Sequence, residues 1–164
     1  MTDTGWFRYG NTNQQTHRIA SALLAAGVPV APLAEKIYMS RSPVALKLLA
    51  WVLDNMTLYC EGRVALLKIP HDVFQRLGAT SDDMEELVNQ GLQIKSVCAS
   101  VLLREHVNPI KVKASLRSKD AFDINQVARV FGGGGHKNAS GCVLEMSLMD
   151  AEHAVVKEMD RVFN

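Results

Sequence analysis

Residues 132 to 141 read Gly132-Gly133-Gly134-Gly135-His136-Lys137-Asn138-Ala139-Ser140-Gly141, and no other stretch limits so sharply what the chain can build. Four consecutive residues without Cβ give a core nothing to pack. They can take positive φ, and their N–H groups can converge on one anion at close range. An imidazole and an ammonium follow directly, and both can donate to or neutralise an oxyanion held by such amides. The chemistry indicated is phosphate binding.

A bare glycine run is equally the composition of a flexible loop, so the flanks decide. Upstream, Asp123 to Phe131 reads as a short helix with Asp123 as N-cap, Gln126 three residues on, and Ile124, Val127, Ala128 and Phe131 on one face. Downstream, Cys142 to Met146 reads as a strand. The glycines are therefore held at both ends, unlike a polar, unanchored linker. The phosphate loop of nucleotide triphosphatases does not fit, because Lys137 is followed by Asn138 and no strand precedes the glycines.

A second basic feature lies just before this stretch. Two strands are expected around an Asn108-Pro109 turn. In the second, Ile110, Val112, Ala114 and Leu116 alternate with Lys111, Lys113, Ser115 and Arg117, so one face is apolar and the other cationic. The lysines read best as an ordinary solvated face. Arg117 differs, because its planar fork suits bidentate phosphate binding. Arg104, on the preceding strand, shares that face if the hairpin register keeps the two strands in phase.

With 164 residues, 48% of them hydrophobic, the chain can form one well-packed core but not two large domains. Its apolar stretches are too short to cross a bilayer and its start has no secretory pattern, so no membrane partner is expected and the reading is cytoplasmic. A net charge of +1 argues against a protein that coats long nucleic acid, which requires many phosphate contacts. Any nucleic-acid site must be local and short. Cys60, Cys98 and Cys142 are odd in number, widely spaced and in apolar surroundings, which indicates neither a disulfide nor a zinc site.

The remaining elements follow from pattern. Thr12 to Ala26 is a helix with a Thr12/Gln15 capping box, a stripe of Ile19, Leu23 and Ala26, and Gly27 as its stop. A shorter helix follows Pro32. Ser42-Pro43 opens a third, apolar nearly all round, with Leu46, Leu49, Ala50 and Leu53 on one side and Val44, Leu48, Trp51 and Val52 on the other. Such a helix is either central to the core or faces another domain or a second copy of the chain. Met56 to Pro70 reads as a hairpin across Glu61-Gly62. A short helix runs from His71 to Leu77, another from Thr80 past Val88, and a capped amphipathic helix from Ser147 to Phe163. The fold class is α/β of an α+β-like kind, with a mixed sheet of about five strands covered by helices and preceded by a helical connector. The boundary is placed between residues 1–54 and 55–164.

Phe131 to Gly141 resembles the GGGH-K-x-A-x-G signature of the C-terminal substrate-binding domain of DHH-family phosphoesterases. It is most similar to the type that removes nucleotides from very short RNAs and dephosphorylates adenosine 3′,5′-bisphosphate. Ser115-Leu116-Arg117-Ser118 is similar to the S-x-R-S strand of that family, and Thr2-Asp3-Thr4-Gly5 to the last metal-binding motif of its catalytic domain. No Asp-His-His triplet or upstream Asp-x-Asp is present, so the chain looks like the end of a longer enzyme.

The resemblance implies that short RNA or a nucleotide phosphate is the ligand, and that Arg104, Ser115, Arg117, Ser118, Gly133, Gly134, Gly135, His136 and Lys137 line its site, with Asn89 beside them. It implies a catalytic role for His136. It also implies an N-terminal catalytic domain as partner, with Asp3 completing a two-manganese cluster there; this chain alone is expected to bind no cofactor. Alternatives of other classes are an RNA-binding and dimerising module, like the C-terminal domain of alanyl-tRNA synthetases, or a purely structural homodimerisation domain.

Overall fold

The computed structural model describes residues 4–7, 10–84, 86–106, 111–119 and 121–163. Asp3 and the Asn108-Pro109 turn lie outside them. The chain divides into two compact units, Met1–Arg41 and Ser42–Asn164.

In the first unit, α1 (Gln14–Ala25) is capped one residue later than its sequence predicts. Asn13 Oδ1 accepts from Thr16 N at 3.1 Å while Thr16 Oγ1 accepts from Asn13 N at 3.4 Å. Asparagine outranks threonine at this position, and the reciprocal pair satisfies two otherwise orphaned donors. Gly27, at φ +82°, ends the helix as expected. Neither α1 nor α2 (Val30–Tyr38) buries a residue, and the predicted stripe is open, with Ile19 52% exposed. No single helix among the described residues is long and apolar enough to cross a membrane.

The second unit begins with α3 (Pro43–Asp54), for which Ser42 Oγ accepts from Ala45 N at 2.9 Å. The helix packs within this unit, so the compact units divide ahead of it rather than after it. Ala45, Leu48 and Val52 face inward; Leu46 and Leu53, on the other predicted side, are 54% and 42% exposed. Next come β1 (Thr57–Tyr59), β2 (Val64–Ile69), α4 (His71–Arg76), α5 (Leu87–Gln90), β3 (Ala99–Glu105), β4 (Val112–Ser118), α6 (Asn125–Val130), β5 (Gly134–His136), β6 (Ala139–Leu144) and α7 (Leu148–Phe163). The helix expected from Thr80 past Val88 is in fact a 3₁₀ turn, Asp82–Met84, and then α5; Glu86 separates them in the left-handed conformation, which a continuous right-handed helix cannot accommodate.

The strands form one sheet in the order β1-β2-β3-β4-β6-β5. It has six strands where about five were expected, and the difference is β5, built from the glycine run itself. β2 and β3 are parallel and all other neighbours antiparallel, which makes the sheet mixed. A parallel pair needs a crossover. Here α4 and α5 supply it, packing with α3 onto Leu67, Ile69 and Leu102.

Register divides the sheet into two faces. Val64, Leu66, Val101, Leu103, Ala114, Leu116, Cys142 and Leu144 point to one side and are fully covered by α6 and α7, through Val127, Ala151, Val155 and Met159. On the other side the crossover packs on β2 and β3, with α5 reaching β4. Lys113, Gly134, His136 and Val143 on that side of β4, β5 and β6 are exposed.

Candidate phosphate-binding face

Directly paired residues in a sheet project from the same face. His136 pairs with Ala139, Ala139 with Arg117, and Arg117 with Ser100. His136 and Arg117 therefore stand in one row with only an alanine between them. The next row is Gly134, Gly141 and Ser115, and the one after it Val143, Lys113 and Arg104. All three rows share this face of the sheet, and the third runs under the crossover at Arg104, which stacks on Phe74. The condition attached to Arg104 is met, since its pairing with Lys113 brings it onto the same side as Arg117. Two glycines and a serine make the middle of this face a shallow floor, bounded by side chains that carry donors.

The glycines act differently from the amide nest that the sequence invited. Gly132, at φ +70°, ends α6: its N–H bonds Arg129 O at 3.0 Å and Gly133 N–H bonds Ala128 O at 2.9 Å, the two bonds of a Schellman cap. Gly134 to His136 then run extended as an edge strand. Successive amides of a strand point in opposite directions, so adjacent N–H groups do not converge on one anion here. Gly133 and Gly135 lie against β6, where a Cβ would meet Gly141 O at 2.2 Å and Ala139 O at 2.5 Å respectively. Nothing lies within 4 Å of a Cβ at Gly134, whose φ is not positive. Of the two glycines in β5, it is the one with open space at the Cβ position.

The turn after β5 is tied down. Asn138 Nδ2 donates to Ser118 Oγ (2.9 Å), Lys119 O (3.0 Å) and Phe122 O (3.1 Å). Lys137 O accepts from Ile124 N at 2.9 Å and Asn138 O from Ser118 N at 3.1 Å. Ser118, expected among the ligand contacts, is buried on the core side of β4; its hydroxyl donates to Phe122 O at 2.7 Å and accepts from Asn138. Lys137 is exposed in the turn. Asn89, in α5 beside β3 and β4, donates to Glu86 Oε2 at 2.6 Å. The sequence places Asn138 and Gly141 within the motif without giving either a role, and reads Lys113 as part of a solvated face.

The cations here have no acidic partners among the described residues. The ion pairs there involve Arg63, Lys68, Lys111 and Arg161, and none involves Arg104, Lys113, Arg117, His136 or Lys137. The Arg104 guanidinium stacks 4.4 Å from the Phe74 ring centroid, and its Nε is buried with no hydrogen-bond partner. Arg117 Nη1 donates to Leu116 O at 3.0 Å, and these basic side chains border a floor of small residues. The described residues contain no group of three or more His, Cys, Asp or Glu side chains able to hold a metal ion, and Asp3 lies outside them.

The three cysteines are free. Burial raises the Cys142 thiol to about 11. Burial, with a hydrogen bond to Asp160, raises Cys60 to about 12.

Fold and face together define a class: an α/β domain with a helix-backed mixed sheet and one basic face on β4, β6 and β5. Residues 62–164 match the DHHA1 domain, and the chain belongs to that family. It is 30% identical over 161 residues to the bifunctional oligoribonuclease and PAP phosphatase NrnA of Thermus thermophilus, across 98% of this chain and 47% of that protein. It is 32% identical over 139 residues to the protein of the same name from Bacillus subtilis, covering 85% of this chain and 43% of the relative. The crystal structure of an exopolyphosphatase-related protein from Bacteroides fragilis superposes with a TM-score of 0.92 at 34% identity, covering 99% of this chain and 48% of that one. The chain thus spans about half the length of the proteins it matches.

Proposed function

We propose that this chain is the substrate-binding half of a DHH-family phosphoesterase acting on very short RNA or adenosine 3′,5′-bisphosphate, and that the half-face of β4, β6 and β5 holds a nucleotide phosphate. The observation that carries the reading is the row His136, Ala139, Arg117, which sets a fork of donors and an imidazole on one face, neither of them in an ion pair among the described residues. Arg117 engages two phosphate oxygens through its planar fork, and His136 donates to a third. Ser115 and the backbone at Gly134 and Gly141 form the floor, where the missing Cβ atoms let the ligand approach. In the whole enzyme this clamp orients the phosphodiester and stabilises charge that grows on its oxygens. The chain's own share is binding and orientation, so purified chain supplied with manganese should not hydrolyse a dinucleotide.

A few charge-assisted hydrogen bonds of roughly 1.5–3 kcal/mol each, less several kcal/mol for immobilisation, give a Kd between about 1 μM and 1 mM. Calorimetric titration with 5′-phosphorylated diadenylate (pApA) tests this. Arg117→Lys keeps the charge but loses the fork and should weaken binding about fivefold or more, while Lys157→Ala, exposed on α7 on the opposite side of the sheet, should change it less than twofold. A 20-mer that binds far more tightly than pApA, with a steep salt dependence, would instead favour an RNA-coating domain.

A further inference from the structure

Resting on that reading, we infer that Arg104 and Lys113 form a second phosphate subsite on the same half-face, which makes the ligand a short strand of at least three phosphates rather than a single nucleotide. Arg104 and Lys113 are direct cross-strand partners, so their side chains project together. Both point to the face that carries Arg117 and His136, because Lys113 and Arg117 are four residues apart on β4 and the side-chain period of a strand is two. Neither is neutralised by an acid among the described residues. The guanidinium is preorganised: Phe74 supports its plane at 4.4 Å, and its buried Nε lacks a partner.

The spacing sets the ligand class. Four residues of strand separate the two cationic centres by about 13 Å along β4. That exceeds the single ribose between the phosphates of a nucleoside bisphosphate, and it matches two consecutive sugar–phosphate units. Between the centres lie Ser115, Gly134 and Gly141, with no bulky side chain on the path. A strand lying along this floor places one phosphate at Arg117 and His136, the next over Ser115, and a third at Arg104 and Lys113.

Calorimetric titration of the purified chain with pApA and with 5′-phosphorylated triadenylate (pApApA), at two salt concentrations, tests this. The parent should bind pApApA about tenfold more tightly, with a salt slope steeper by about 0.7 for the additional phosphate. In Arg104→Gln/Lys113→Gln the affinity ratio of the two ligands should fall to near one and the slopes should coincide. Lys113→Gln alone, at an exposed position, should lower the ratio about threefold and covers the case in which the double variant does not fold. Equal binding of the two ligands by the parent, or a ratio unchanged in Lys113→Gln, overturns the second subsite and leaves the Arg117 clamp standing. No binding of either ligand, or an Arg117→Lys variant that binds both as well as the parent, overturns the clamp and the subsite together.

Discussion

Neighbouring glycines in the run should respond oppositely to the same substitution. In Gly133→Ala the added methyl would sit 2.2 Å from Gly141 O, 2.5 Å from Cys142 Cβ and 2.8 Å from Cys142 Cα. These are atoms of the adjacent strand, two of them backbone, so no side-chain rotation relieves the clash. Either β5 lifts off β6 or the strand pair distorts. Overpacking of this kind costs about 1–3 kcal/mol, which for a unit of this size lowers the Tm by several degrees. Gly134→Ala adds the same methyl into open space at a φ that any residue can adopt, so it should shift stability by no more than about 0.5 kcal/mol. Yet it is Gly134→Ala that places a methyl on the proposed floor, and it should weaken pApA binding. Thermal unfolding and calorimetric titration of both variants check the pair of effects. Equal loss of Tm in the two variants would refute the packing of β5 on β6, and unaltered pApA binding in Gly134→Ala would refute its place in the site.

Asn138→Ala removes three donated bonds and leaves Lys119 O and Phe122 O without that partner; it should cost about 1–3 kcal/mol by thermal unfolding, and Asn138→Asp, which sets a carboxylate against two carbonyls, should cost more. Burial raises the Glu152 carboxyl, but hydrogen bonds from Lys68 (2.6 Å) and Tyr59 (2.7 Å) outweigh it and hold its pKa below 4.5. Because the folded value lies below the unfolded one, this stabilisation is present above that range and is lost as the pH falls through the depressed value. The Tm gap between the parent and Glu152→Gln should therefore be widest near neutrality and close under acid, as unfolding scans against pH will read. With thiols raised to about 12 and about 11, Cys60 and Cys142 should remain largely unalkylated by iodoacetamide at pH 8 in the native state and react fully in urea, by mass spectrometry.

Elements that carry their own chemical markers were readable from the sequence. Ser42-Pro43 opened α3, alternation defined β4, the Glu61-Gly62 turn joined β1 to β2, and Ser147 accepts from Asp150 N at 3.1 Å at the start of α7. β5 was not readable as a strand. Glycine has low strand propensity and no side chain, so it leaves no alternation to detect, and its extended form comes from pairing with β6. The strand order was hidden too, because it depends on a parallel crossover between β2 and β3 that no local pattern encodes. This bears on the site, since only the register puts Arg117 in line with His136 and shows that Lys113, which looked like part of an ordinary solvated face, has Arg104 as its partner. Ser118 illustrates the converse. A serine in a motif beside an arginine invites a ligand role, but strand alternation turns its side chain toward the core, where Asn138 and Phe122 occupy it.

The most direct test of the central claim is a residue-resolved map of where a short RNA binds. Amide and side-chain shift changes in the isotope-labelled chain on titration with pApA should cluster on Ser115, Arg117, Gly134, His136, Ala139 and Gly141, and leave Val155 and Met159 on the opposite side of the sheet unmoved. Shifts centred on α7, or an unchanged spectrum at millimolar ligand, would contradict the assignment of the β4, β6 and β5 half-face as the nucleotide-binding surface.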